Sequence, residues 1–356
     1  MGKRRGSLEN LELKKNFWKK KKVLITGNLG FKGSWLCLQL SFFKAKVFGI
    51  DNESANSSLI KKKHLKRYLQ YQYKCDLRDL KKVNSIVSKV RPEIIIHLAA
   101  QSLVINGLEN PTLTFDVNIM GTANIIESAR IKSSVKSILV VTSDKVYENN
   151  EKNIKFKESD RLGGDDPYSA SKACAEIISK SYFNSFFKTK NVKLATARAG
   201  NVIGGGDVSL NRLVPDIFRS ILKKKKLKIR NRNYIRPWQH VLDCNNGYMM
   251  LVEKLHNNSK YSGAWNFSTN NNNYTVEKIC KEFSKNISFK FIYSSSRLKE
   301  KKILKLNSDK SKYLLSWKKQ LSFQEMIRLT SEWYKEFLIG ENPDLICMDQ
   351  INKYYL

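Results

Sequence analysis

The sequence predicts a doubly wound α/β fold with a parallel sheet, followed by a smaller C-terminal α+β lobe. Short apolar strands alternate with amphipathic helices over the first 200 residues, and the connections between them are short. Residues 94–98 form a nearly continuous apolar run, typical of a parallel strand that is buried on both faces. After residue 200 the alternation weakens, which indicates a second, less regular part.

The first part is predicted to run strand–helix–strand with right-handed crossovers. Apolar residues at helical spacing define the helix over 80–90, which ends before Pro92, and Pro167 begins the helix over 168–187. The predicted strands span 23–25, 46–51, 70–75, 94–98, 136–142 and 192–197, and the predicted helices span 34–40, 61–69, 80–90, 111–131 and 168–187.

The second part is predicted to lie over the carboxyl ends of the strands, where doubly wound folds bind their ligands. We expect a loose basic tail over 1–20 that ends in a short segment at Phe17–Trp18, a sheet domain over 21–200 and a lobe over 201–356, some segments of which return to the sheet. A glycine loop at 204–206 precedes predicted helices at 213–223, 243–255, 278–283 and 323–338 and a predicted strand at 227–230.

Composition argues against several classes of protein. The 356 residues contain no run of about 20 apolar residues, so no membrane span is expected, and no apolar segment follows the basic N-terminus, so no secretory signal is expected. The six cysteines are scattered without a C-x-x-C pair. This spacing argues against a metal site or a disulfide framework and favours the reducing cytoplasm.

The net charge of +33 is the strongest signal in the composition. Lysine runs lie all along the chain, however, and most flank or join apolar segments, as solvated surface lysines do. Without a nucleic-acid-binding motif, we do not expect a nucleic-acid partner. A basic field could still attract an anionic nucleotide substrate.

A glycine turn follows the first strand and opens the first helix of the sheet domain. Gly27, Gly30 and Gly33 have the spacing of an anion-binding turn, in which a helix N-terminus faces a pyrophosphate. Asp51 ends the second strand, where an acid that binds a ribose belongs. The alternative is a tight turn without a ligand. Asp51 and the strand–turn–helix context favour a dinucleotide site.

A serine, a tyrosine and a lysine form a candidate reaction centre. Ser143 directly follows a buried strand, and Tyr168 and Lys172 are four residues apart on one helix face. A lysine ammonium beside a tyrosine favours the phenolate, which makes the tyrosine a better base. Ser143 could hold a substrate hydroxyl against it. The pair alone could be an ordinary helix face, but together with the glycine turn it favours oxidoreduction.

The chain resembles the extended short-chain dehydrogenase/reductase family, which implies a Rossmann fold. Within that family it is most similar to the branch that dehydrates CDP-glucose. The resemblance extends from Phe17 to about Leu338 and rests on the order of TGNLGFKGSWL, DLRD, HLAAQ, NIMGT, TSDKVY, DDPYSASK, RAGNVIGGGD and IRPWQHV.

The resemblance implies NAD as the cofactor and assigns residues to it. Asp51 would select NAD over NADP, because a 2′-phosphate would meet its carboxylate. The implied cofactor residues are Gly27, Gly30, Phe31, Lys32, Gly33, Asp51, Asp76, Leu77, Leu98, Ala99, Gln101, Tyr168 and Lys172.

The resemblance also implies a nucleotide-sugar 4,6-dehydratase. Transient oxidation at C4 would acidify C5, water would leave from C5–C6, and the product would be a 4-keto-6-deoxy sugar. The implied catalytic residues are Ser143, Asp144, Lys145, Tyr168 and Lys172, and the implied substrate residues are Asn118, Asn201, Leu213 and Arg236. Asp144 would protonate the departing 6-hydroxyl.

Lys145 stands where related dTDP-glucose dehydratases carry glutamate. It would be either the base at C5 or a residue that binds the cofactor or orients Asp144. Three further departures are Asn28 in the glycine turn, residues 105–108 and Val208. The last two lie on the expected substrate side, so they leave the sugar and the base open.

Two alternatives compete with the dehydratase. An epimerase would share the fold and cofactor but would not need Asp144 and Lys145 as an acid–base pair. A non-catalytic basic binding protein would be expected to lack the serine, tyrosine or lysine. The apolar surplus of the helices at 111–131 and 168–187, together with the resemblance, implies a homodimer formed through a four-helix bundle.

Overall fold

The structure is a computed structural model and describes residues 14–53, 57–151, 153–268, 274–294 and 301–356. Most of the predicted tail therefore lies outside the described residues. The strands are β1 Lys22–Thr26, β2 Lys46–Asp51, β3 Tyr71–Lys74, β4 Ile94–His97, β5 Ser137–Val141, β6 Lys193–Ala199, β7 Val202–Ile203, β8 Leu227–Arg230, β9 Ile235–Arg236, β10 Gln239–His240, β11 Gly263–Phe267, β12 Tyr274–Thr275 and β13 Phe291–Ser294.

The helices pack on both faces of the sheet and in the C-terminal part. They are α1 over 14–18, α2 Phe31–Phe42, α3 Lys62–Leu65, α4 Leu80–Val90, α5 Val104–Glu109, α6 Pro111–Phe115, α7 Gly121–Ile131, α8 Pro167–Tyr182, α9 Lys188–Lys190, α10 Leu213–Leu222, α11 Val241–Asn257, α12 Val276–Asn286, α13 Asp309–Leu314, α14 Phe323–Leu338 and α15 Pro343–Tyr355. Short 3₁₀ turns lie at Asp144–Val146 and Ser259–Tyr261, and π-helical turns lie at Asp116–Met120 and Phe183–Phe187.

The main sheet confirms the predicted fold class. Its seven strands, in the order β11-β6-β5-β4-β1-β2-β3, are all parallel. Strand β1 lies between β2 and β4, so the direction in which the sheet is built reverses there. The crevice outside the carboxyl ends of strands at such a point is the usual ligand site of this architecture.

The core consists of two main apolar clusters, one on each face of the sheet. Val23 and Ile25 belong to the cluster with α2 and α11, whereas Leu24 belongs to the cluster with α4 and α7. This is the alternation that a strand buried on both faces requires. Packing on both faces therefore holds the sheet in place.

The tail predicted to be loose over 1–20 is ordered where the structure describes it, so that part of the prediction is wrong. Residues 14–18 are helical, Trp18 is fully buried, and its indole N–H donates to Glu253 Oε1 on α11 at 2.5 Å. The Lys14 ammonium also donates to Asn246 on the same helix. Burial of a tryptophan with a satisfied N–H accounts for this docking.

Other departures from prediction are local. The predicted helix over 111–131 is interrupted by a π-helical turn, the helix predicted over 61–69 is confined to α3, and α15 was not predicted. Among the described residues, no helix is both long and apolar enough to cross a membrane. In the same part of the chain, no group of three histidine, cysteine or acidic side chains is arranged to hold a metal ion.

Candidate active site

The glycine turn packs so tightly that side chains are excluded from it. Gly27 has φ of +70°, and a Cβ there would lie 2.7 Å from the backbone nitrogen of Ala99. A Cβ on Gly33 would lie 2.1 Å from Gly27 O. The close approach of the turn to β4 and the N-terminus of α2 leave a cradle that fits a pyrophosphate.

Asp51 lies beside this turn, at the end of β2. One carboxylate oxygen accepts from Leu29 N at 3.3 Å and the other from Glu53 N at 2.8 Å. Burial raises the pKa of Asp51, while these two N–H groups oppose the shift. The acid is therefore held at the edge of the glycine turn, in the position that a ribose-binding group requires.

The loops after β3 and β4 carry the other predicted cofactor residues. Asp76 accepts from Arg78 at 2.7 Å, which lowers the pKa of its carboxyl, and Leu77 O accepts from Asn124 on α7 at 2.8 Å. Leu98 and Ala99 follow β4 directly, opposite Gly27. These loops lie at the same edge of the sheet as the glycine turn.

Gln101 and Asn118 support the loop after β4. The Gln101 side chain bonds Leu103 and Thr114, and the Asn118 side chain accepts from Gln101 N and donates to Gln101 O and to Ser171 Oγ at 2.8–3.0 Å. Asn118 lies in the π-helical turn and does not line the cleft. Asn118 was predicted as a substrate contact, but the geometry does not match this role, because its side-chain amide is hydrogen-bonded to Gln101 and Ser171.

Ser143, Tyr168 and Lys172 are brought together at the carboxyl end of β5. Tyr168 and Lys172 lie on α8, whose N-terminus is capped by Asp166. Burial raises the pKa of Tyr168, and a hydrogen bond with Ser143 opposes that shift. Lys172 Nζ donates to Val141 O at 3.1 Å, and burial lowers the pKa of Lys172 to about 7.

Asp144 and Lys145 begin the 3₁₀ turn that follows Ser143. Asp144 Oδ1 accepts from Ser143 Oγ at 3.1 Å, whereas its buried Oδ2 has no hydrogen-bond partner among the described residues. Burial raises the pKa of Asp144, and the neighbouring Lys145 ammonium is the largest opposing influence. A buried carboxyl with one free oxygen is suited to giving or taking a proton.

A cleft of about 300 Å³ joins these groups to the C-terminal lobe. Nine of the predicted site residues line this cleft: Phe31, Lys32, Ser143, Asp144, Lys145, Tyr168, Asn201, Leu213 and Arg236. Arg212 and Arg230 also line it and were missed, although they lie close in sequence to Leu213 and to the predicted strand at 227–230. The arginines make this end of the cleft suited to phosphate groups.

A buried ion pair behind the reaction centre was also missed. Glu176, one turn after Lys172, accepts from Arg198 Nε and Nη2 at 2.9 Å each, and both side chains are 4% exposed. It also accepts from Thr142 Oγ1 at 2.5 Å and Thr196 Oγ1 at 2.6 Å. The spacing from Lys172 was a usable signal for Glu176, but no local pattern marks Arg198.

Comparisons with known proteins show the family to which the chain belongs. The family model described as GDP-mannose 4,6 dehydratase matches residues 24–330. The CDP-glucose 4,6-dehydratase of Salmonella typhimurium is 36% identical over 352 residues, which cover 96% of this chain and 98% of that protein.

Solved structures share the fold. A UDP-glucose 4-epimerase from Thermotoga maritima superposes with a TM-score of 0.79 at 23% identity, covering 89% of this chain and 99% of that one. A dTDP-glucose 4,6-dehydratase from Bacillus anthracis gives 0.75 at 22% identity, covering 89% and 97%.

Proposed function

Since the chain belongs to the GDP-mannose 4,6-dehydratase family, we propose that it is an NAD-dependent nucleotide-sugar 4,6-dehydratase that converts CDP-glucose to CDP-4-keto-6-deoxyglucose and water. The observation that carries the proposal is the buried Asp144, with a free oxygen, beside Ser143 and in the same cleft as Tyr168. Oxidation at C4 needs only the serine, tyrosine and lysine. An additional acid is what elimination of water requires.

The residues present fit the cofactor. The cradle of Gly27, Gly30 and Gly33 excludes side chains where a pyrophosphate would lie, and Asp51 at its edge would bind the ribose. The backbone at Phe31 and Lys32 would complete the cradle, and Asp76, Leu77, Leu98 and Ala99 would border the rings. NAD held there would supply the transient hydride acceptor for C4 and the hydride donor for C6 of the hexose.

The chain's own groups would move the protons. Tyr168 would take the proton of the 4-hydroxyl, with Ser143 holding that hydroxyl and Lys172 favouring the phenolate. Asp144 would protonate the leaving 6-hydroxyl, a role that its burial favours because burial raises its pKa. We assign the C5 proton to Lys145, which lines the same cleft: its neutral amine would take that proton before water leaves and return it when the hydride adds at C6.

The substrate would extend from this centre into the lobe over 201–356, with the cofactor held by the domain over 21–200. Asn201 and Leu213 line the cleft between them, and Arg212, Arg230 and Arg236 would hold the diphosphate. Asn118 would act as a positioning residue through Gln101.

We include a homodimer in the proposal. Exposed apolar side chains lie on α6, α8 and the π-helical turn between α6 and α7, namely Leu113, Met120 and Ile177 with exposed fractions of 46%, 48% and 57%. These neighbouring elements would pack against the same elements of a second copy as a four-helix bundle. We also propose a cytoplasmic location, because all six cysteines are free thiols.

The test is to incubate the purified protein with CDP-glucose and to measure the alkali-induced absorbance of a 4-keto-6-deoxy sugar. UDP-glucose, dTDP-glucose and GDP-mannose are run in parallel. We expect product with CDP-glucose and almost none from the Asp144→Asn variant. No product from any nucleotide-hexose would refute the proposal, and an isomer epimerised at C4 would support the epimerase alternative instead.

A further inference from the structure

The side chain of Lys32 reaches away from the glycine turn that contains it. Lys32 is the second residue of α2, and Asn245 Nδ2 donates to its backbone oxygen at 3.2 Å. Its side chain lines the same cleft as Ser143, Asp144 and Tyr168, and its Nζ lies 3.5 Å from the hydroxyl of Tyr248 on α11. The ammonium therefore lies on the side of the reaction centre, and only the backbone belongs to the cradle.

No carboxylate forms an ion pair with Lys32 in the part of the chain that the structure describes. Its two neighbours on α11 are uncharged, because burial raises the pKa of both Tyr248 and Cys244. Burial also lowers the pKa of Lys32 itself. The Asp144 carboxylate acts on Lys32 only from beyond ion-pair distance, so no direct carboxylate partner among the described residues offsets the partial burial of this ammonium, and its retention indicates a partner that arrives with the substrate.

The groups that face Lys32 from the surrounding elements are the ones that would carry the reaction. They are Asp144 in the 3₁₀ turn, Lys172 on α8, Cys244 and Tyr248 on α11, and Arg212 before α10, while Tyr168 lines the same cleft. After burial, the Lys32 ammonium is the next largest influence that lowers the pKa of Lys172, and it also lowers that of Asp144. One positive charge thus acts on both proton-transfer groups.

We propose that the Lys32 ammonium belongs to the reaction centre, where it binds a hydroxyl of the hexose between Tyr168 and Asp144 and stabilises the negative charge that develops there. The proposal rests on the proposed dehydratase function. Phosphates are left to the backbone of the glycine turn and to Arg212, Arg230 and Arg236, which line the cleft with Lys32. Lys32 is thereby a catalytic residue, and its side chain does not hold a phosphate.

The test replaces Lys32 with methionine, which keeps the length of the side chain and removes its charge. Lys44→Met, at the exposed turn after the same helix, loses the same charge outside the cleft and is the matched control. Lys32→Gln is a second uncharged variant should the first fail to fold, and Lys32→Arg restores the charge. Bound NAD, affinity for CDP, kcat and its pH profile are measured for each.

We expect Lys32→Met to keep its NAD and its affinity for CDP while kcat falls about 10²-fold. The acid limb of the kcat profile should move up by about one pH unit, because removal of a positive charge raises the pKa of every neighbouring group. Lys44→Met should match the wild type, and Lys32→Arg should regain much of the loss. Loss of NAD from Lys32→Met would show that the side chain binds the cofactor, and weakened CDP binding would show that it binds the substrate's phosphates. Either result overturns the proposal.

A readout without turnover separates this proposal from the proposed function. Titration of Asp144 is followed as the difference in the carboxyl infrared band between each protein and its Asp144→Asn counterpart, with NAD bound. Because the Lys32 ammonium lowers the pKa of Asp144, Lys32→Met should raise that pKa even if CDP-glucose is not the substrate. An unchanged titration refutes the role of Lys32, whereas a raised pKa with no activity on any nucleotide-hexose refutes only the dehydratase assignment.

Discussion

Replacement of Glu176 by glutamine is the sharpest test of how the reaction centre is supported. The carboxylate accepts four hydrogen bonds of 2.5–2.9 Å, two from Arg198 and one each from Thr142 and Thr196. Because both charged side chains are 4% exposed, the variant leaves the Arg198 guanidinium buried without its counter-charge. Breaking a buried pair in this way costs about 3–5 kcal/mol in the free energy of unfolding.

The cost should fall when both charges are removed. Glu176→Gln combined with Arg198→Met leaves no buried cation, so we expect it to recover most of the loss. Urea unfolding followed by circular dichroism measures the difference for the single and double variants. Glu332→Gln is the control, because its partner Arg328 is exposed and the same substitution there should change the unfolding midpoint little.

Glu176→Gln should lower the activity as well as the stability, for a geometric reason. Thr142 immediately precedes Ser143, and Glu176 lies one turn from Lys172, so the carboxylate fixes the distance between β5 and α8. A displacement of about 1 Å can reduce kcat about 10²-fold, with bound NAD unchanged. A loss of less than about 1 kcal/mol in the free energy of unfolding of Glu176→Gln would refute this reasoning. So would a double variant that is no more stable than Glu176→Gln.

Three further outcomes are expected. Lys145→Met should slow the incorporation of solvent deuterium at C5 about 10²-fold, and undiminished incorporation would leave the lysine only a role in binding the cofactor or orienting Asp144. Burial and the nearby Lys172 lower the pKa of His97 from 6.5 to about 3, so below pH 6.5 only the unfolded chain takes up this proton. The free energy of unfolding then falls by about 1.4 kcal/mol per pH unit from this group, and His97→Gln should flatten that slope in urea titrations between about pH 6.5 and pH 4.5. Ile177→Arg should convert the proposed dimer to a monomer in light scattering, and a dimer that persists would place the interface elsewhere.

Local signals account for the elements that were predicted closely. The helix over Leu80–Val90 matches its prediction because a regular apolar stripe coincides with a cap, Asp79, which accepts from Lys82 N. The helix over Phe323–Leu338 also matches, and its capping box joins Ser322 and Glu325. In both cases the residues that define the ends are neighbours in sequence.

Elements that depend on distant partners were not predicted. Strand β12 forms by pairing with β9, and β13 forms by pairing with β8. Both strands are too short for their own residues to show a hydrophobic alternation that would predict them. The tail over 1–20, which ends in the segment at Phe17–Trp18, was expected to be loose because it is polar and basic. What orders it is Glu253, more than 230 residues further along the chain.

The candidate site divides in the same way. Gly27, Ser143 and Tyr168 stand in local motifs with a mechanical reason for their spacing, so the sequence indicated the turn and the reaction centre. Arg198 and the direction of the Lys32 side chain depend on how separate strands and helices come together.

Lys172 shows why these unpredicted neighbours matter for the chemistry. Burial alone lowers its pKa, the Lys32 ammonium lowers it further, and the Glu176 carboxylate opposes both, with the result at about 7. A lysine whose pKa lies near 7 can change its charge during a catalytic cycle, whereas an exposed lysine with a pKa near 10.4 stays protonated. The Y-x-x-x-K spacing places the lysine beside the tyrosine, but its pKa is set first by burial and then by a residue of the glycine turn and an acid one turn further along α8.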